Sequence, residues 1–165
     1  MNPFHPFPPY LTQNFLNRVE EERNVLENIS KSVSTAIIGN PHIGKTSLLK
    51  KVAENRQFKK SPHTASAWLE TGLFTETDTP AKFWQRVCEK AIASRPKITR
   101  HLKVFTSPVK YDPFGLFEAF EKLGAKGNRV VAFVDEFDKI LDRSHLKTID
   151  FIDPLQAIAQ KTQGL

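Results

Sequence analysis

Apolar positions come in two rhythms along this chain. Val25, Leu26, Ile29 and Val33 recur at helical spacing, and Asn17 followed by Glu20 fits a capping arrangement ahead of them. Thr35-Ala36-Ile37-Ile38-Gly39 is a short apolar run and predicts a buried strand. A helix over Thr46 to about Glu54 follows, with Leu48, Leu49 and Val52 turned inward. Ser66 to Thr71 predicts a second strand. Thr79-Pro80 opens a helix with proline at its first position, and Phe83, Trp84, Val87, Cys88, Ala91 and Ile92 form its apolar stripe. Asp112-Pro113 opens another, with Leu116, Phe120 and Leu123 on one face and Gly124 as its stop. Val130 to Asp135 is apolar until it ends on acids, and is the clearest strand. Asp153-Pro154 opens a last helix through Leu155, Ile158 and Ala159.

Apolar strands alternating with amphipathic helices predict an α/β fold, a parallel sheet covered by helices on both faces. Ligands in such folds gather at the carboxyl ends of the strands. Residues 1–14 stand apart as a lead-in rich in Pro and aromatics, because proline fixes φ and removes a backbone donor. Residues 15–165 are the expected core. The 165 residues amount to roughly one domain. With 39% hydrophobic and 25% charged residues, the composition is that of an ordinary globular protein. No apolar run reaches membrane-spanning length, and the first residues lack a signal-peptide pattern, so the expected compartment is the cytoplasm. One cysteine excludes an internal disulfide. The net charge of +6 permits an anionic partner without naming one.

Two motifs change this picture, and both fall at predicted strand ends. Gly39-Asn40-Pro41-His42-Ile43-Gly44-Lys45-Thr46 fits G-x-x-x-x-G-K-[ST], the pattern of a phosphate-binding loop. Glycines permit conformations and approaches that side chains block. Successive N–H groups then line one concavity at a helix N-terminus and bind phosphate oxygens. Lys45 supplies charge to the β- and γ-phosphates of a nucleotide, and the Thr46 hydroxyl is a ligand for Mg²⁺. A match arises by chance in under about 1% of chains this long.

The second motif is Val130-Val131-Ala132-Phe133-Val134-Asp135-Glu136. An acid at the end of a buried strand is costly unless it meets a cation or a polar site. Beside a phosphate loop the cation is Mg²⁺, held by Thr46 and Asp135, while Glu136 orients and activates water as a general base. Alone, such a run ending in Asp-Glu reads as a strand entering a solvated turn; the phosphate loop turns the reading toward catalysis. Asp138 and Lys139 are expected on the exposed side of a following helix, without a catalytic role. Asp112-Pro113-Phe114-Gly115 has the D-x-x-G spacing of GTPases, but follows no apolar strand, and no Asn-Lys-x-Asp motif occurs.

With these residues in hand, Phe15-Leu16-Asn17-Arg18-Val19-Glu20-Glu21 resembles the F-x-[GN]-R-x-x-E box of STAND-type and archaeal-type AAA+-like ATPases. The order of box, helix, phosphate loop and Asp-Glu strand is similar too, over nearly the whole chain. Asn2-Pro3-Phe4 and Ile43-Gly44-Lys45-Thr46-Ser47-Leu48-Leu49 look most like bacterial, especially cyanobacterial, members. The resemblance implies a P-loop NTPase core that binds ATP and Mg²⁺ and acts as a signalling switch or scaffold. It implies that Arg18 lies near the nucleotide, and that residues 39–47 cradle it. The plainer alternative for Arg18 is a surface pair with Glu21. Family members continue past the Asp-Glu strand into a strand with a polar sensor residue and then a helical lid. Neither can be assigned here, so the expected core is incomplete and self-association is one expectation.

Three functions stay open on this basis: an ATPase of a signalling protein, a nucleotide-dependent binding module with little turnover, and a DNA-associated ATPase. Arg95, Lys97, Arg100, His101 and Lys103 form the basic stretch that suggests the third, although a solvated loop explains it equally and no base-reading motif occurs.

Overall fold

The computed structural model describes residues 18–75, 78–107 and 112–141. The chain divides into two compact units, Met1–Lys60 and Ser61–Leu165. The lead-in, Asn17 and the helix expected after Asp153 lie outside the described residues.

In the first unit, helix α1 (Val19–Ser30) starts at Arg18, which makes no side-chain cap. Glu20, Glu21 and Glu22 fill its first turn, where the helix dipole favours negative charge. The helix ends before Val33: Ser32 takes a left-handed φ of 58°, and the Val33 N–H turns back to the Asn28 carbonyl at 2.8 Å. Helix α2 (Lys45–Ala53) buries Ser47, Leu48 and Val52, while Leu49 is half-buried. Lys51 Nζ meets Glu22 Oε2 at 3.0 Å, joining α2 to α1 through two largely shielded side chains. A short helix α3 (Arg56–Lys60) closes the unit.

The expected strand over residues 35–39 is not formed. These residues are irregular, and Ile38 is 90% exposed. Hydrophobicity makes a segment compatible with a strand, but ladder hydrogen bonds from a neighbour make it one. Among the described residues the only paired strands are β1 (Thr64–Glu70) and β2 (Arg129–Asp135), both in the second unit.

The second unit is α/β: a two-stranded parallel sheet packed against helices. Thr64 pairs with Arg129 and the register runs to Glu70 opposite Asp135. The two strands are 58 residues apart in sequence, and a parallel pair needs such a crossover. A 3₁₀ turn (Thr71–Leu73) leaves β1, and α4 (Pro80–Ser94) follows. The Thr79 side chain caps α4 by accepting from the Lys82 N–H at 3.3 Å, with Pro80 at the first helical position. α5 (Pro96–Thr99) leads into a 3₁₀ segment (Arg100–Thr106). Asp112 caps α6 (Pro113–Gly124) through two 3.1 Å bonds, from the Phe114 and Gly115 N–H groups. α6 runs through Gly124, and the left-handed turn comes three residues later, at Gly127 (φ 68°). A single turn α7 (Asp138–Leu141) follows β2.

The core lies between the sheet and these helices. Ala65, Ala67 and Leu69 of β1, with Val130 and Val134 of β2, face the predicted stripe of α4 together with Leu102, Phe105, Leu116, Ala119, Leu123 and Ile140. Alternate residues of a strand share a face, and β1 follows that period of two, whereas in β2 Ala132 is exposed and Phe133, on the opposite face, is buried. Small side chains at Ala65, Ala67, Cys88 and Ala91 allow close approach, while Phe83 and Trp84 meet edge to face with centroids 5.2 Å apart. On the other face Trp68 stacks on its register partner Phe133 at 6.2 Å. Buried Asp78 is satisfied by the Thr75 N–H at 2.7 Å and by Arg86 at 3.5 Å, whose guanidinium lies 4.2 Å from the Phe74 ring centre.

Candidate functional site

The glycine loop of the first unit has a defined conformation. His42 (φ 63°) and Gly44 (φ 88°) are both left-handed, and α2 begins immediately after. A side chain at Gly44 would carry the steric penalty of that region, so glycine is the residue this turn requires. The Gly44 carbonyl accepts the Leu48 N–H at 2.9 Å, which starts the helix. N–H groups of a first helical turn have no acceptor within their own helix and carry the positive end of the dipole. Lys45 closes the loop from within: its Nζ donates to the carbonyls of Gly39 and Asn40, each at 2.8 Å. Asn40, Pro41, His42 and Ile43 are exposed, Gly44, Lys45 and Thr46 are half-buried, and Ser47 is buried. The Ile43 side chain lies where a Cβ on Gly39 would stand.

Arg18 belongs to the same unit. Its Nε pairs with Glu21 Oε1 at 3.2 Å, the plainer of the two readings of this residue. Its Nη1, however, is buried without a hydrogen-bond partner among the described residues. A buried cationic donor left without an acceptor is costly, so Nη1 is a ready partner for an anion or carbonyl oxygen.

The acidic pair belongs to the second unit. Asp135 is the last residue of β2, half-buried, and Glu136 is exposed. Glu136 has a left-handed φ of 55°, and its N–H donates to Asp135 Oδ1 at 3.1 Å. The Thr71 hydroxyl donates to the carbonyls of both residues, at 2.8 Å to Asp135 and in a very short contact to Glu136. The Glu136 carboxylate lies where a Cβ on Gly72 would stand. Thr71 and Gly72 were not legible as site residues. Their only sequence signal is a Thr-Gly pair at the end of a predicted strand, one of the places where ligands gather.

Among the described residues no group of three or more His, Cys, Asp or Glu is arranged to hold a metal ion. An all-protein cage is therefore absent there. Asp138 and Lys139 are exposed, as expected.

The basic stretch is helical. Ile98, Thr99, Leu102 and Phe105 turn inward, leaving Lys97, Arg100, His101 and Lys103 on the outer side, while half-buried Arg95 donates to the Ser61 carbonyl at 3.4 Å. This is the charge pattern of a solvated helical face. Cys88 is fully buried, and burial, with Glu89 adding to it, pushes its thiol up to about 12. It is a core residue and not a nucleophile. Among the described residues no helix is long and apolar enough to cross a membrane.

The chain matches no protein-family model, no curated protein and no solved structure.

Proposed function

We propose that this chain is an ATP-binding module of the STAND or AAA+-like P-loop type, acting as a signalling switch that hydrolyses ATP. The observation that carries the reading is the loop itself. Left-handed His42 and Gly44 precede the first turn of α2, and Lys45 folds back onto the Gly39 and Asn40 carbonyls. Those two bonds hold an ammonium group beside the backbone of the loop, and a triphosphate offers it stronger, charge-assisted acceptors. On this reading residues 39–47 hold the phosphates, with Lys45 exchanging its carbonyl acceptors for the β- and γ-oxygens. By their motifs Thr46 and Asp135 are the residues that would serve Mg²⁺, which would supply charge neutralisation at the phosphates. Glu136 accepts a proton from the attacking water. Arg18 Nη1, without a hydrogen-bond partner among the described residues, supports a further contact to the nucleotide.

Titration calorimetry with Mg-ATP tests the reading. ATP binds to the wild type and is preferred over GTP, since no guanine-reading motif is present. Lys45→Ala loses about 10- to 100-fold in affinity, the range of one or two charged hydrogen bonds. Unchanged affinity in that variant overturns the assignment. Asp135→Ala loses the Mg²⁺-dependent part of binding, and Glu136→Gln binds normally while losing hydrolysis.

A further inference from the structure

We infer that Thr71 and Gly72, at the end of β1, are the positioning residues of Glu136: the Thr71 hydroxyl holds its backbone and Gly72 makes room for its carboxylate. The inference rests on the catalytic reading of Glu136 and goes beyond it by naming what aims that side chain. Thr71 is completely buried, yet it has a polar oxygen, and that oxygen spends its proton on two carbonyls 64 and 65 residues away. Those carbonyls are the ones that flank the turn out of β2. Glu136 there adopts a left-handed φ of 55°, which costs a residue with a Cβ roughly 1–2 kcal/mol. Such a conformation persists where surrounding bonds over-determine it. Here the bonds are the Thr71 hydroxyl on one side and the Glu136 N–H to Asp135 Oδ1 on the other.

The consequence is for the side chain. Turned this way, the Glu136 carboxylate rests on Gly72, occupying the space of the missing Cβ, with Cδ 3.2 Å from that point. It makes no hydrogen bond or ion pair among the described residues, so contact with Gly72 and the backbone geometry set its position. Gly124 and Gly127 of the same unit have open space at the same point, whereas Gly115 meets the carboxylate of its cap Asp112 at 2.7 Å. Gly72 therefore leaves the room the carboxylate occupies, and a larger residue there displaces it while the rest of the fold stays in place. Removing the Thr71 hydroxyl frees the backbone instead.

The test uses the 165-residue protein with glutamate and glycine isotopically labelled, its Glu136 signals identified by their loss in Glu136→Gln. Wild type shows a nuclear Overhauser contact between the Gly72 α-protons and the Glu136 side chain. Thr71→Val keeps the shape and loses the hydroxyl; a bond of about 1 kcal/mol shifts a population about fivefold, and the contact weakens accordingly. Thr71→Ser restores it. In single-turnover phosphate release, Thr71→Val and Gly72→Ala lower the rate about tenfold, the upper reach of misplacing one general base by an ångström or less, with ATP affinity unchanged. No Overhauser contact in wild type, or an unaltered contact or rate in Thr71→Val, overturns the inference. If Gly72→Ala does not fold, the Thr71 pair carries the test. A wild type with the contact and without Lys45-dependent phosphate release sinks the hydrolytic reading, while the placement of Glu136 stands.

Discussion

The glycine loop and the α4 core differ in what holds them. Around the loop, Ile38 is 90% exposed and residues 40–43 are exposed, so hydrogen bonds and backbone conformation define the shape. Around α4, Phe83, Val87, Cys88 and Ala91 are all at most 2% exposed, and packing defines the shape. Regions with few buried apolar contacts open at low free-energy cost, and ligand-binding segments are drawn from them. Most residues bearing candidate chemistry thus lie where burial contributes least. The acidic pair is intermediate: β2 is anchored in the core, and the carboxylates project just past its end.

Phe83→Ala removes a buried ring and is expected to cost about 3–5 kcal/mol. Urea denaturation followed by tryptophan fluorescence reads the loss, since both tryptophans belong to this unit. A loss below about 1 kcal/mol would show that α4 is not packed as described.

At the loop the same scale of change acts through conformation. Gly44→Ala places a Cβ at φ 88°, costing about 1–2 kcal/mol if the loop keeps its shape. ATP affinity is therefore expected to fall about tenfold, by calorimetry. Undiminished affinity would mean that the left-handed turn is not what binding requires.

Capping sharpens the contrast at a smaller scale. Asp112→Ala leaves two N–H groups of α6 without their acceptor and is expected to cost about 1 kcal/mol, whereas Asp112→Asn retains most of the stability. Equal losses in the two variants, measured by thermal melting, would show that charge and not capping matters.

The smallest effect is that of Cys88. Its thiol keeps its proton to about pH 12 in the folded protein, against 9.0 ordinarily, so the unfolded state loses that proton first. The contribution is fully present below pH 9 and declines as pH rises from 9 toward 12. Cys88→Ala lacks this part of the decline. At pH 8 a thiol reagent leaves the native protein unmodified and labels it in denaturant; rapid native labelling would contradict the burial of α4.

Local signals carried much of this from the sequence alone. The caps at Thr79 and Asp112, the stripe of α4 and the apolar run of β2 each act within a few residues, so they were legible without a partner. The glycine loop was legible because its pattern is itself a backbone requirement. Residues 35–39 show the limit: the run is as apolar as a strand, but pairing is decided by a neighbour elsewhere in the chain.

Tertiary structure alone decided how the acidic end of β2 is held. Asp135 and Glu136 stand out in the sequence, yet nothing in their own segment points to Thr71 and Gly72. A hydroxyl proton reaching carbonyls 64 and 65 residues away, and a carboxylate filling the space of an absent Cβ, exist only once the strands lie side by side. Residue identity determines which groups are available, and packing determines which of them meet.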